Sequence, residues 1–199
     1  MLELPADLPA DLAPLSWLIG VWEGTGVIDY PIGGERLQGE FTHRVSFSHD
    51  GGGFLNYAAT ASFTGDGSPS IPLVAETGFW RLSRPSTAAD AGPALLPPAE
   101  AVAPRDVHDV EALRTASGGF PLEVSIAHSD GALELYLGEI SGPRIDIVSD
   151  AIVRPAGSKA HAASSRMYGL VDAHLLWAWD IAALGTPLRS HASARLARI

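Results

Sequence analysis

The sequence contains no cysteine. That excludes disulfides, thiolate metal sites, iron–sulfur clusters and a cysteine nucleophile, and it suits a reducing compartment. Basic residues are scarce: 13 Lys and Arg stand against 23 Asp and Glu, giving a formal net charge of −10. So acidic a chain argues against nucleic acid and against anionic membranes as partners. Long apolar runs are missing too. The most apolar late stretch, LLWAWDIAALG, is interrupted by Asp180 and is too short to span a bilayer. The opening MLELPADLPADL is acidic and lacks the basic-then-apolar pattern of a secretory leader, so a cytoplasmic protein is expected. A length of 199 residues predicts one domain over 1–199 with a substantial core.

Helical periodicity is weak almost everywhere, and only residues 14–19 (PLSWLI) suggest a short helical turn. Period-two alternation recurs instead. In FTHRVSFSH, Phe41, His43, Val45, Phe47 and His49 share one face of a half-buried strand. Similar segments run over 54–63, 74–82, 122–128, 132–140, 144–153, 166–171, 174–183 and 188–199, joined largely by short Gly, Asp, Ser or Pro turns. With a first strand beginning at residue 20, the pattern predicts an all-β chain of about ten antiparallel strands. A closed up-and-down barrel is favoured, with a sandwich as the competing architecture. Residues 84–118 are rich in Ala, Pro, Asp and Ser and break the pattern. They read as a flexible surface insertion with few apolar residues to bury.

The stretch GVWEGTG sets Trp22 among Gly20, Gly24 and Gly26 on one strand face. A strand face so bare marks a tight bend, or the close approach of another backbone or a ligand. It is not a phosphate loop, because no Gly-Lys-Ser/Thr follows and no helix opens after it. Inward positions of a barrel are where a ligand would sit. His43, His49 and His128 lie on apolar strand faces, where a lone histidine is usually a core residue. His191 differs in its small neighbours, Ala192 and Ser193, which leave room for a large flat ligand. No Gly-x-Ser-x-Gly elbow or His-Glu-x-x-His pair is present. Glu134 with Glu139, and Asp146 with Asp150, read as the solvated faces of strands.

Six stretches together carry a family resemblance. They are PLSWLIG before Gly-x-Trp-x-Gly-x-Gly, Tyr30-Pro31 after it, ETGFWRL, GALELYLGEI and the ending HASARLARI. In this order they resemble the nitrobindin family across nearly the whole chain apart from 84–118. Members are haem-binding barrels shaped like fatty-acid-binding proteins and lipocalins, and are described as peroxynitrite isomerases.

The resemblance implies haem b as cofactor, with His191 as axial ligand to the iron and Lys159 as a haem-contacting residue at the rim. It implies peroxynitrite or nitric oxide as the small ligand, with nitrate as the product of isomerisation. Gly20, Trp22, Gly24 and Gly26 would shape the first strand against the ligand. Where haem-binding members read Tyr-Pro-Thr, this chain has Ile32, which would remove a hydroxyl from the distal side. A non-catalytic carrier of a fatty acid or similar apolar molecule is the alternative, and a homodimer stays open.

Overall fold

A computed structural model describes residues 8–63 and 70–199 of the chain. The Gly/Asp/Pro/Ser turn expected after residue 63 lies mostly outside the described residues, as does the start of the acidic opening. Ten strands form: β1 (Gly20–Ile32), β2 (Glu35–Ser48), β3 (Leu55–Phe63), β4 (Ile71–Leu82), β5 (Phe120–His128), β6 (Leu133–Ser141), β7 (Arg144–Val153), β8 (His161–Val171), β9 (His174–Ala183) and β10 (Arg189–Arg198). Each pairs antiparallel with its sequence neighbours, and β1 closes the ring onto β10. The result is the expected up-and-down barrel, and closure rules out the sandwich.

Two strands start five or more residues earlier than their alternation suggests. Over Glu35–Glu40, β2 pairs with the end of β1, and of these residues Leu37 and Gly39 are partly buried, Leu37 against the core. One apolar side chain among six residues leaves no apolar period to read. β8 likewise begins at His161 rather than 166, its first turn of chain being small Ala and Ser residues.

One end of the barrel is plugged. Ala10–Leu18 forms a 3-10 helix, longer than the single turn expected. At three residues per turn, Leu12, Leu15 and Leu18 fall on one face, and all three are fully buried in the lumen. Trp22 fixes this plug to the barrel: its indole N–H donates to the Leu18 carbonyl at 2.7 Å. The Arg198 guanidinium lies 4.5 Å over the Trp22 ring and donates to the Trp17 carbonyl.

Here the glycines around Trp22 find their reason. A Cβ on Gly24 would strike the Arg195 carbonyl, and one on Gly26 the Ser193 carbonyl and the Phe41 ring. These glycines therefore admit the backbone of β10, which is how the barrel closes. The expectation that they shape the strand against a ligand is corrected in this respect: their neighbour is protein.

The segment 84–118 is also more than a solvated loop. It holds a short helix, α1 (Val107–Glu111), started by a capping box between Asp106 and Asp109. Val110 enters the core and Leu113 packs against it. The Arg105 Nε donates to Asp11 at 3.0 Å, tying the segment to the 3-10 helix.

Candidate functional site

Above the leucine plug the lumen carries a layer of aromatic rings. Phe47, Tyr57 and Tyr168 surround Trp80 with ring centroids 5.0–5.8 Å apart. The next layer is ionic. Arg166 on β8, fully buried, donates from Nη1 and Nη2 to both oxygens of Glu76 on β4 at 2.7 and 3.0 Å. Its Nη2 also reaches Glu134 on β6 at 3.3 Å, and its Nε donates to the Tyr136 hydroxyl. Tyr57 donates to Glu76, and Ser164 and Tyr136 donate to Glu134, each at 2.7–2.8 Å.

Burial alone would raise both carboxyls. The Arg166 charge, with these hydrogen bonds, outweighs it and holds Glu76 below the usual carboxylate range. For Glu134, the hydrogen bond from His128 leads the opposing causes, and its pKa comes down to about 2. Desolvation pushes the Tyr57 and Tyr136 hydroxyls up, so both remain donors.

This layer overturns the reading of Glu134 as a solvated residue. On β6 the alternation is inverted: Glu134 and Tyr136 point inward while Leu133, Leu135 and Leu137 face out. Glu139, by contrast, does sit nearer the surface, accepting from Thr115 and Ser117. A signal for the buried layer was available. Glu134 and Arg166 each stand two residues before a tyrosine, Tyr136 and Tyr168, on the same strand face.

Beyond the ionic layer lies a cavity of about 360 Å³, within the range of small-molecule sites. Ile28, Phe41, Leu73, Val74, Trp177 and Trp179 make it apolar and aromatic. Three histidines from three strands meet there: His128 from β5, His161 from β8 and His191 from β10. No helix caps this end among the described residues.

His191 owes its position to a bulge. On β10 the residues Ala192, Ala194 and Leu196 face inward, so strict alternation would turn His191 outward. Pairing with β9 slips between Ser190 and Ala192, leaving His191 as the extra residue, and both His191 and Ala192 line the cavity. A bulge re-aims a side chain in this way. Two rings then hold the imidazole: Tyr30 edge-on at 5.1 Å and Trp179 edge-on at 5.7 Å. Tyr30 is itself fixed, its hydroxyl donating to the Ala183 carbonyl and accepting from the Ala183 amide.

Neither ring nitrogen of His191 has a hydrogen-bond partner among the described residues, and Nδ1 is buried. Desolvation, reinforced by the nearby His161, lowers its pKa to about 4. The ring is neutral at physiological pH, the form that ligates a metal. An orphaned neutral imidazole on an aromatic cavity wall fits a haem iron. His161 is likewise pushed down by burial, with Nε2 3.5 Å from Glu134.

The remaining sequence candidates lie elsewhere. Lys159, the single lysine of the chain, is exposed in the β7–β8 loop, two residues before cavity-lining His161. It has no ion-pair partner among the described residues, and its carbonyl accepts from Arg154. Gly20, Trp22, Gly24 and Gly26 are outside the cavity lining. So is Ile32, at the exposed end of β1. His43 is buried, its Nδ1 3.0 Å from the Thr60 carbonyl, as expected of a core histidine.

Comparison with known proteins places this geometry. The model of a THAP4-like, heme-binding beta-barrel domain matches residues 11–198. A peroxynitrite isomerase of Leifsonia xyli subsp. xyli is 57% identical over 201 residues, covering 100% of this chain and 99% of that protein. One from Clavibacter michiganensis subsp. michiganensis is 52% identical over the whole of both chains. Among solved structures, Rv2717c from M. tuberculosis matches with a TM-score of 0.66 and 25% identity, covering 99% of each chain.

Proposed function

The chain belongs to the THAP4-like, heme-binding beta-barrel family, and on that premise we propose that it binds haem b through His191 and converts peroxynitrite to nitrate. The observation that carries this reading is the neutral, unpartnered imidazole that a bulge turns into an aromatic cavity. A bound ferric haem supplies the Lewis-acid and redox chemistry for rearranging the O–O bond of peroxynitrite.

The chain's own residues do the rest. His191 offers a nitrogen lone pair without first losing a proton. Tyr30 and Trp179 fix its ring plane by contact rather than by a hydrogen bond. Trp177, Phe41 and Val74 keep water from the apolar part of the cavity. Lys159, at the rim, supplies an ammonium for a propionate, a charge-assisted pair. Nitric oxide is a second small ligand for the same site.

The carrier alternative has less support. Arg166, which stacks on cavity-lining Trp179, is committed to Glu76 and Glu134, so a fatty-acid carboxylate would depend on the exposed Lys159. Titration with hemin should give a saturable Soret band. The loaded protein should then speed peroxynitrite decay with nitrate as product, and cyanide should suppress that gain. Tight lipid binding by iron-free protein, with no haem-dependent nitrate, would shift the reading to a carrier.

A further inference from the structure

We propose that His128, oriented by Glu134, is a proton acceptor that lets weak acids enter the cavity and bind as anions. The inference rests on the reading of His191 as the iron ligand. In the ring of ten strands, β5 and β10 are five steps apart in either direction. His128 therefore stands across the cavity that it shares with His191. A ligand held from His191 would share the cavity with His128 and with Leu73 and Val74 of β4.

The two nitrogens of His128 have different surroundings. Nε2 lies 2.6 Å from Glu134 Oε2. An ionised carboxylate only accepts, so Nε2 carries the hydrogen and donates. That leaves Nδ1 with a free lone pair in the neutral ring. Its nearest carboxylate oxygen, Glu76 Oε1, is 3.6 Å away, too far for a hydrogen bond. Trp179 stacks along the ring, centroids 6.1 Å apart, and fixes its plane.

Charged and titratable groups face His128 from three strands. Glu76 comes from β4, Glu134 and Tyr136 from β6, and Arg166 and His161 from β8. Two carboxylates share a single guanidinium, so the buried group carries one net negative charge while His128 is neutral. A proton on Nδ1 brings the sum to zero and gives Glu76 a donor. The step balances by itself. The H–X bond of the acid breaks, its electron pair stays on X, the proton forms an N–H bond at Nδ1, and X⁻ is free to bind the iron. No oxidant or reductant is consumed.

The test uses the haem-loaded full chain and two ligands, cyanide, which arrives at neutral pH as HCN, and imidazole, which needs no proton removed. In H128Q the amide still donates to Glu134 but cannot accept a proton from an acid. Cyanide association, followed by the Soret shift, should slow by about a hundredfold or more, the usual range of general-base effects. Imidazole association should stay within about twofold. An unchanged cyanide rate in H128Q that still shows the wild-type Soret band would overturn the proposal. If hemin is not taken up at all, the haem reading fails instead, and the iron-free protein still decides the orientation of the dyad. Nitrogen-15 imidazole spectra should then show His128 with its hydrogen on Nε2; a hydrogen on Nδ1 would refute the proposal.

Discussion

At one end of the barrel, Leu12, Leu15 and Leu18 fill the lumen and Trp22 bolts their helix to β1. At the other, inward positions carry His128, His161 and His191, and the indoles of Trp177 and Trp179 have no hydrogen-bond partner. The same ten strands serve both ends. The first end is closed by shape and apolar burial, although the buried Trp17 indole there also lacks a hydrogen-bond partner among the described residues. The second sets its unpartnered rings around a cavity. Between them, Arg166 with Glu76 and Glu134 acts as a partition. A site for an apolar cofactor thus needs a plug elsewhere, because the cavity contributes little packing of its own.

The partition should give the largest effect. Arg166→Leu leaves two carboxylates buried against each other, and breaking a buried pair costs about 3–5 kcal/mol. The melting temperature should fall by roughly 10 °C or more, read by calorimetry. A change of only a few degrees would mean that water reaches the layer and that the two ends are not separated.

Acid should weaken the same layer. The folded pKa of Glu134 is lowered, so its stabilisation is present above the unfolded value near 4.5 and is lost as pH falls towards about 2. The difference amounts to about 3 kcal/mol, with Glu76 acting in the same direction. His191 adds an earlier loss, because its folded pKa is also lowered. Its contribution is full above about 6.5 and fades as pH falls towards about 4. Denaturant midpoints measured from pH 7 to pH 2 should decline through both windows. A flat profile would contradict the charge assignments.

At the plugged end, Val110→Ala should cost about 1–3 kcal/mol, because Val110 sits in the core rather than in solvent. Replacing the segment 85–118 by a short linker should lower the thermal midpoint for the same reason. An unchanged midpoint would restore the view of a dispensable loop.

These contrasts also mark how far the sequence could be read. Phe41, Val45 and Phe47 on β2 announced a barrel strand, since one face meets an apolar core and the other meets solvent. The plug was half legible, because leucines three apart suit a 3-10 helix as well as a helical turn. The ionic layer was not legible. Its charges are inward, and the rule that acids face water fails wherever a buried partner such as Arg166 stands opposite. His191 could be picked out by family motif and small neighbours, whereas the bulge that aims it depends on pairing with β9, which spacing along one strand does not reveal. His128 looked like a lone core residue until the ring brought it to one cavity with His161 and His191.

The account centres on His191 as the residue that holds the iron, at the cavity end of the barrel. The most direct measurement is the hemin absorption spectrum of His191→Gly, with and without added imidazole, beside its thermal midpoint. The account predicts a midpoint within a few degrees of the parent chain, since the removed ring borders a cavity rather than a packed core. It predicts loss of the histidine-ligated Soret band and its return when imidazole fills the vacated position. A wild-type spectrum in His191→Gly without imidazole would contradict it.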